Sequence, residues 1–312
     1  MTDRTLDSAV CLFIFNRPKL TKQVFCRIAE AEPPRLYIVA DGPRDEVDDD
    51  FKGCREARAI TEKVDWDCTV ERNYAAKNYG IKHRFVTGLE WLFQRETEAI
   101  ILEDDCVPEL DFFRFCEVML DRYRDDERVW DITGTNYFGT WNSDTQSYHF
   151  SYLGGIWGWA TWKRSWEQYD PELTLWEKDT VRNRLQDVLA DKALAAYAET
   201  LYSRSYRGLI ETWDYQWGFA KQINSGLSVV PSKNLVSNIG FGEQATNTID
   251  QNRSLASLQT HSIEFPLTDP SYVAVDRSYD TAYLKKRTSF WERIPIIRRL
   301  TNRLVLAFHD SL

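Results

Sequence analysis

The feature that most constrains the fold is a series of continuous apolar runs that alternate with amphipathic segments in the first half of the chain. Val10–Phe15, Leu36–Ala40 and Ala99–Leu102 are such runs, and runs of this kind are typical of parallel strands buried on both faces. Between the second and the third, apolar residues recur at helical spacing, at Ile81, Phe85, Leu89 and Leu92. The alternation predicts an α/β fold with a mixed, mostly parallel sheet flanked by helices.

Polar residues follow each of these predicted strands. Asn16 and Arg17 come after the first, Asp41 after the second, and the triplet of residues 103–105 after the third. In open α/β sheets, ligands bind at the carboxyl ends of the strands. We therefore expect these side chains, which are far apart in the sequence, to lie together at one edge of the sheet.

The triplet Glu103, Asp104 and Asp105 places three mutually repelling carboxylates at the end of a buried strand, where they are costly to desolvate. Oxygen ligands of this kind suit Mn²⁺ or Mg²⁺, and such an ion would also neutralise a diphosphate. Alternation along an extended chain would direct Asp104 to the side opposite to its two neighbours. A solvated acidic turn that caps the next helix explains the triplet equally well in isolation, but the other polar strand ends favour a ligand site.

Composition excludes several classes of protein. The net charge of −9 argues against a nucleic-acid-binding protein. The six cysteines form no C-x-x-C pair, which argues against structural zinc and favours a reducing compartment. The amino-terminal residues lack an apolar signal core and no run is long enough to span a bilayer, so a cytoplasmic location is expected. No Gly-rich phosphate-binding loop follows a predicted strand.

The second half of the chain is rich in aromatic residues. Residues 154–162 (GGIWGWATW) predict a turn-rich loop, a long helix is predicted over residues 178–206, and residues 211–217 (ETWDYQW) combine carboxylates with aromatic rings. The 12 Trp and 15 Tyr are consistent with a carbohydrate site, where flat rings cover the apolar faces of sugars, and equally with a core of large side chains.

The segments VCLFIFNRP, LYIVADGP, IILEDDCVPELDFF and WDYQW resemble, in order and approximate spacing, glycosyltransferases of the GT-A fold. The resemblance is to the inverting β-1,2-N-acetylglucosaminyltransferase I family and its bacterial relatives, and it runs from about residue 10 to residue 242. Its most specific part is the E-D-D strand followed by PELDFF. The resemblance implies a Rossmann-like GT-A fold, a nucleotide-sugar donor that is usually UDP-linked, and a Mn²⁺ ion, with Mg²⁺ as the alternative.

The same resemblance assigns roles to the polar strand ends. Asp105 corresponds to the metal ligand, and Glu103 and Asp104 to acids that contact the donor. Arg17, with Asn16 beside it, resembles the basic position near the phosphates. Asp41 resembles the acid that accepts the uracil N–H, and Arg72 falls near a nucleotide-contacting position. Taken singly, Arg17 is equally consistent with a surface helix start and Asp41 with a turn former.

An inverting transfer needs a base that takes the proton from the acceptor hydroxyl as it attacks the anomeric carbon. Asp214 lies among aromatic residues and in the segment to which the resemblance points. The family has two adjacent acids there, whereas the second position of this chain is Tyr215. Glu211 therefore remains the alternative base, and a helix-capping role for Asp214 also stays open.

For the acceptor we expect a platform made of Gly155, Trp157, Trp159 and Trp213, although the Gly-Trp segment is equally consistent with a packed joint. At the other end of the chain, residues 285–308 combine apolar and basic residues, which is typical of peripheral contact with an anionic membrane. A helix that packs on its own domain or on a second subunit explains that segment as well.

These observations predict a metal-dependent bacterial glycosyltransferase in polysaccharide or glycolipid assembly, at the inner face of the membrane. It would move a hexosyl or N-acetylhexosaminyl group from a nucleotide sugar to a saccharide or lipid-linked acceptor, and the resemblance implies a UDP donor and inversion. The predicted domains are residues 1–245, with a nucleotide-sugar-binding half (1–138) and an acceptor half (139–245), and a helical extension (246–312). The alternatives are a non-catalytic carbohydrate-binding or scaffold protein and a nucleotidyltransferase.

Overall fold

The computed structural model describes residues 6–241 and 258–291. The chain forms two units that divide between Val275 and Asp276. The described strands are β1 (Val10–Ile14), β2 (Arg35–Ala40), β3 (Thr69–Tyr74), β4 (Glu98–Glu103), β5 (Cys106–Pro108), β6 (Val129–Thr133), β7 (Tyr148–Ser151), β8 (Trp159–Trp162), β9 (Leu227–Pro231) and β10 (Val236–Asn238). The described α-helices are α1 (Pro18–Ala31), α2 (Asp48–Thr61), α3 (Ile81–Phe93), α4 (Leu110–Arg122), α5 (Lys163–Trp166), α6 (Asp179–Leu189), α7 (Lys192–Tyr206), α8 (Asp214–Ile223) and, in the second unit, α9 (Arg277–Trp291).

Eight strands form one sheet in the order β3-β2-β1-β4-β8-β6-β9-β7, and β5 pairs with β10 in a separate two-stranded sheet. The first four strands of that order are all parallel, and β6 and β9 are parallel to each other. β8 and β7 are antiparallel insertions. The predicted fold class, a mostly parallel mixed sheet flanked by helices, is confirmed.

The central strands are buried on both faces, which explains their continuous apolar sequence. In β1, Val10, Leu12 and Ile14 belong to a core cluster that includes residues of α1 and α4. Cys11 and Phe13 belong to a second cluster, on the other face, that includes residues of α3 and α8. The helices therefore cover the sheet on both sides, and the strand ends remain available for a site.

Two elements of the second half differ from the predictions. The segment that we predicted to be a loop contains β8, whose four residues are all buried. The reason is that its side chains alternate between the two clusters, with Trp159 in one and Ala160 and Trp162 in the other. The predicted helix over residues 178–206 is two helices, because Ala190 has a left-handed conformation that ends α6 and Asp191 caps α7.

The first unit extends beyond residue 245, where we predicted its boundary. The Ile263 side chain is buried in the core, and the backbone N–H of His261 donates to the carbonyl of Asn234 at 2.8 Å. Residues 258–275 therefore complete the first unit. The predicted basic amphipathic segment, residues 285–308, lies for the most part outside the described residues. Among the helices that the structure describes, none has both the length and the apolar character needed to cross a membrane.

Helix α3 packs so closely on the sheet that Gly88 has no space for a side chain. A Cβ atom at this position would lie 2.6 Å from Phe13 Cε1 and 2.8 Å from Val39 Cγ1. We expect Gly88→Ala to lower the free energy of unfolding by about 1–3 kcal/mol, because overpacking forces neighbouring groups to move. Chemical denaturation measures this loss.

Gly218→Ala in α8 is the matched control, since its nearest contact would be Tyr202 Oη at 3.3 Å. We expect this variant to stay within about 1 kcal/mol of the wild type, because alanine also favours the helix. Equal effects of the two substitutions would contradict the packing argument.

Candidate functional site

Arg17 joins the end of β1 to the acidic triplet at the end of β4. Arg17 lies directly before Pro18, the first residue of α1. The first position of a helix suits proline, because the backbone N–H that proline lacks would have no partner within the helix there. The Arg17 guanidinium donates to Asp104 Oδ1 and lies 2.9 Å from Asp105 Oδ2. The backbone N–H of Phe15 donates to the other oxygen of Asp104 at 3.4 Å. Asn16, Arg17, Asp104 and Asp105 thus meet at one edge of the sheet.

The two aspartates face the same guanidinium, contrary to the alternation that we predicted. The physical reason is that β4 ends at Glu103, so that Asp104 and Asp105 lie in a turn where strand alternation does not apply. Asp104 and Asp105 both form ion pairs with Arg17. Glu103 is the third acid of the triplet and is not part of these pairs.

Three acids, Glu103, Asp104 and Asp105, lie near one basic side chain, that of Arg17, so the number of acidic groups exceeds the number of basic groups. The Asp104 side chain is 3% exposed, and burial raises the pKa of its carboxyl to about 6, although Arg17 opposes the shift. Burial, followed by repulsion from Asp105, raises the pKa of Glu103. Burial alone would lower the pKa of Arg17, but attraction to Asp104 and Asp105 outweighs it and raises that pKa. A bound cation would relieve this excess of negative charge.

The residues suit a metal ion only if a ligand supplies further oxygens. In the ranges 6–241 and 258–291 no three His, Cys, Asp or Glu side chains gather in a way that could hold an ion. Asp105 is nevertheless held in place, because its carbonyl accepts the N–H of Ile239 at 2.8 Å and a Cβ on Gly240 would overlap its carboxylate. One carboxylate combined with the phosphates of a substrate is a common set of ligands for Mg²⁺.

Asp41 lies at the same edge, where it organises the loop between β3 and α3. Its carboxylate accepts hydrogen bonds from the backbone N–H groups of Gly42, Tyr79 and Gly80 at 2.8–3.2 Å and from the side chain of Asn78 at 3.0 Å. Sequence reasoning missed residues 78–80. The sequence feature that could have indicated this loop is Gly80, which has a positive φ of 81° and directly precedes α3.

Asp50 and Arg44, which the sequence did not indicate as site residues, fix the side chain of Asn16 through hydrogen bonds. Asp50 accepts from Asn16 Nδ2 at 2.6 Å and from Arg44 Nε and Nη2 at 2.6 and 3.0 Å. The acidic stretch that contains Asp50 has the composition of a solvated helix start, yet the Asp50 side chain is 1% exposed. Gly53 allows this approach of α2, because a Cβ there would lie 2.5 Å from the Asn16 carbonyl oxygen.

Arg72 is held against the end of α2 and not by the acidic triplet. Arg72 lies within β3 and not at its end, and its Nη2 donates at 3.0 Å to the carbonyl of Thr61, the last residue of α2. Asp50 lies at the opposite end of that helix. Arg58, one turn earlier in α2, donates to the carbonyls of Asp41 and Ala75 at 3.0 and 2.7 Å, so this end of the helix adjoins the ends of β2 and β3. That Arg72 contacts the nucleotide stays a prediction.

Two further carboxylates belong to the segment of the second half that was predicted to hold the base. Asp214 is the first residue of α8 and accepts a hydrogen bond from Thr212 Oγ1. It is close enough to Glu103 to contribute to the raised pKa of that acid, after burial and the nearer groups. Glu211 is exposed, and its Oε1 would lie 3.6 Å from a Cβ placed on Gly80. Asp214 is thus within electrostatic range of Glu103, and Glu211 lies beside the loop that Asp41 organises.

Two of the four predicted acceptor-binding residues are part of the core. Trp159 and Trp213 are each 1% exposed, and the Trp213 ring is stacked between Phe85, at a centroid distance of 3.9 Å, and Trp159, at 5.5 Å. Their ring faces are covered by other rings, so they cannot form an open sugar platform. We therefore correct this prediction: their role here is to fix the start of α8.

The other two residues remain candidates for acceptor binding. Trp157 is half-buried and makes edge contacts with Tyr137 and Phe241, each at a centroid distance of 5.5 Å. Gly155 lies against the same tyrosine, since a Cβ there would be 2.7 Å from Tyr137 Oη. Trp157 thus has a fixed orientation and a partly open surface.

No family model matches this chain, and no curated protein matches it. Among solved structures, UDP-glucose pyrophosphorylase complexed with UDP-glucose is similar with a TM-score of 0.37 and 10% identity, over 90% of this chain and 99% of that chain. Apo UDP-glucose pyrophosphorylase has a TM-score of 0.33 and 10% identity, over 89% of this chain and 99% of that chain. Likeness at these scores carries no argument about function.

The contact between Asp50 and Arg44 predicts a dependence of stability on pH. Hydrogen bonds from Arg44 lower the pKa of Asp50 in the folded protein, while burial opposes the shift. A lowered folded-state pKa stabilises the protein above the unfolded pKa, about 3.9, and this stabilisation is lost as the pH falls through the folded value. We therefore expect the wild type to melt above Asp50→Asn near neutral pH and the difference to shrink below about pH 4.

Thermal unfolding at a series of pH values measures this difference. Asp49→Asn, on the exposed side of the same helical turn, is the control and should follow the wild type throughout. A gap between the wild type and Asp50→Asn that does not change with pH would refute the assignment.

Proposed function

We propose that the protein is a metal-dependent glycosyltransferase that uses a nucleotide-sugar donor, with UDP as the nucleotide, and transfers the sugar with inversion. The observation that carries this proposal is the presence of two separate carboxylate groups at one edge of the sheet. The triplet with Arg17 forms one, and Asp214 with Glu211 forms the other. An inverting transfer needs one acidic group on the donor side and one base on the acceptor side.

On the donor side, Asp105 would hold Mn²⁺ or Mg²⁺ together with the diphosphate. The metal, when bound, supplies stabilisation of the negative charge that develops on the departing nucleoside diphosphate. Glu103 and Asp104 would accept hydrogen bonds from ribose or sugar hydroxyls, and Arg17 would keep Asp104 ionised. Asp41 and Asn16 contribute through the loops that they hold at this edge.

On the acceptor side, Asp214 would take the proton from the attacking hydroxyl. In this arrangement Asp214 would face the triplet, and the anomeric carbon would lie between the two acidic groups. Glu211 is the alternative base from the same segment. Trp157 and Gly155 would position a saccharide or lipid-linked acceptor, since an aromatic ring can cover the apolar face of a sugar. Contact with a membrane through residues 285–308 is part of the same proposal.

The donor side predicts joint stabilisation by metal and nucleotide sugar. We expect Mn²⁺ together with one UDP-sugar to raise the melting temperature, because ligands that bind only the folded state stabilise it. The Asp105→Ala variant should lose this shift. Thermal shift assays with a panel of nucleotide sugars, with and without Mn²⁺, measure the effect.

Asp125→Asn, an exposed aspartate on the turn between α4 and β6, is the control and should keep the whole shift. If no nucleotide sugar stabilises the wild type with or without metal, the donor site does not exist as proposed. Stabilisation without any transfer or donor hydrolysis would instead favour the carbohydrate-binding or scaffold alternative.

The acceptor side predicts which acid is the base. We expect Asp214→Asn to lower kcat about 10²- to 10⁴-fold, which is the usual contribution of a positioned general base, with little change in donor KM. Glu211→Gln should have a much smaller effect, because Glu211 faces the loop of residues 78–80. Release of UDP in the presence of acceptor measures both. The opposite order of effects would assign the base to Glu211.

A further inference from the structure

A buried lysine connects α8 to two strands of the sheet behind the candidate site. Lys221 Nζ donates to Asp131 Oδ2 in β6 at 2.8 Å and to Ser228 Oγ in β9 at 2.6 Å. Trp217 Nε1 donates to the same oxygen of Asp131 at 2.8 Å. The side chains of Lys221 and Asp131 are each 2% exposed, so this ion pair is almost completely shielded from solvent.

The contacts to Asp131 set the orientation of α8. Asp214, Trp217 and Lys221 are three and four residues apart along the helix and therefore share one face. Hydrogen bonds from two successive turns to one carboxylate oxygen fix both the rotation of the helix and its position along its axis. Because Asp214 opens the helix on that same face, these bonds also fix the place of the proposed base.

The same cluster supports the Gly-Trp loop, residues 152–158. Gly154 lies so close to Ser228 that a Cβ atom would overlap Ser228 Oγ, and that Cβ would be 3.3 Å from Asp131 Oδ1. The loop that carries Gly155 and Trp157 is thus in contact with the residues that hold α8. Asp131 and its partners therefore touch both candidate acceptor-side elements through polar groups.

Stability alone does not account for an ion pair in this place. Asp131 Oδ1 is buried and has no hydrogen-bond partner within the described structure, and an unsatisfied buried oxygen is costly. Apolar side chains of similar volume often replace a buried ion pair without loss of stability. Hydrogen bonds are more directional than apolar contacts, and so restrict the arrangement of the helix and the loop more closely.

We propose that Asp131 is a positioning residue for the transfer reaction. Through Lys221, Trp217 and Ser228 it holds Asp214 and the Gly-Trp loop in one arrangement relative to the acidic triplet, and it touches neither donor nor acceptor. This inference rests on the proposed function for its catalytic consequence. Its structural part, the ordering of α8 and of the loop, stands on the contacts above.

The test uses the full chain and compares two variants with a control. Asp131→Asn/Lys221→Met removes both charges with little change in volume, so that no buried charge is left unpaired. Trp217→Phe keeps both charges and removes one donor, and it serves as the second test if the double variant does not fold. Arg95→Met/Glu71→Gln removes an exposed ion pair elsewhere and is the control. The readouts are melting temperature, amide hydrogen exchange by segment, and kcat and KM for UDP release from the donor.

We expect the double variant to melt within a few degrees of the wild type, while amides of α8 and residues 152–158 exchange about 10-fold faster or more. Exchange in β1 and α1 should not change. The kcat should fall about 10- to 100-fold with donor KM within about twofold of the wild type, because small displacements of a catalytic group are costly. Trp217→Phe should change in the same direction, and the control should match the wild type.

Two results would overturn the proposal. Exchange of α8 and of the loop at wild-type rates in both variants would show that the cluster does not order them. A wild-type kcat in the double variant, measured well below its melting temperature, would show that the cluster contributes only to stability. A wild type that turns over no nucleotide sugar would count against the proposed function instead, because hydrogen exchange tests the ordering without any activity.

Discussion

Burial of the central parallel strands on both faces is the constraint on which the rest of the structure depends. β1 lies between β2 and β4 in a parallel arrangement, and helices cover both faces. Parallel strands begin and end together, so the residues that follow them are brought to one edge regardless of their separation in the sequence. The polar groups of the site meet there for this reason, and the buried sheet gives them a rigid base.

Electrostatics at this edge differ from those of an ordinary surface. Three acids adjoin one arginine in a setting where burial raises the pKa of two of them, Glu103 and Asp104. Arg17 holds Asp104 and Asp105 in position, but its single positive charge does not balance all three acids of the triplet. An excess of acids over bases of this kind would favour a bound cation. A nucleotide sugar, which is anionic, would then need the metal ion as an intermediary.

The aromatic residues divide into structural and accessible groups. Trp159 and Trp213 stack with Phe85 and fill the core under α8, whereas Trp157 keeps a partly open surface beside Tyr137. Sequence could not make this distinction, because a tryptophan in a Gly-rich segment has the same local signature in either setting. Burial is decided by which distant segments pack above the ring. The same holds for Asp50, whose acidic neighbours indicate a solvated helix start but whose own side chain is enclosed.

The sequence by itself determined the strands β1, β2 and β4, the helix α3 and the polar residues that follow these strands. A continuous apolar run has few ways to be buried, and its ends must leave the core, so local pattern was sufficient. Only the tertiary structure decided that Arg17 pairs with both aspartates 87 and 88 residues away, that β8 enters the sheet, and that Arg72 pairs with the end of α2. It also decided that Lys221 pairs with Asp131, 90 residues distant. These contacts depend on the packing of segments that are remote in the chain, and no local pattern of residues specifies such pairings.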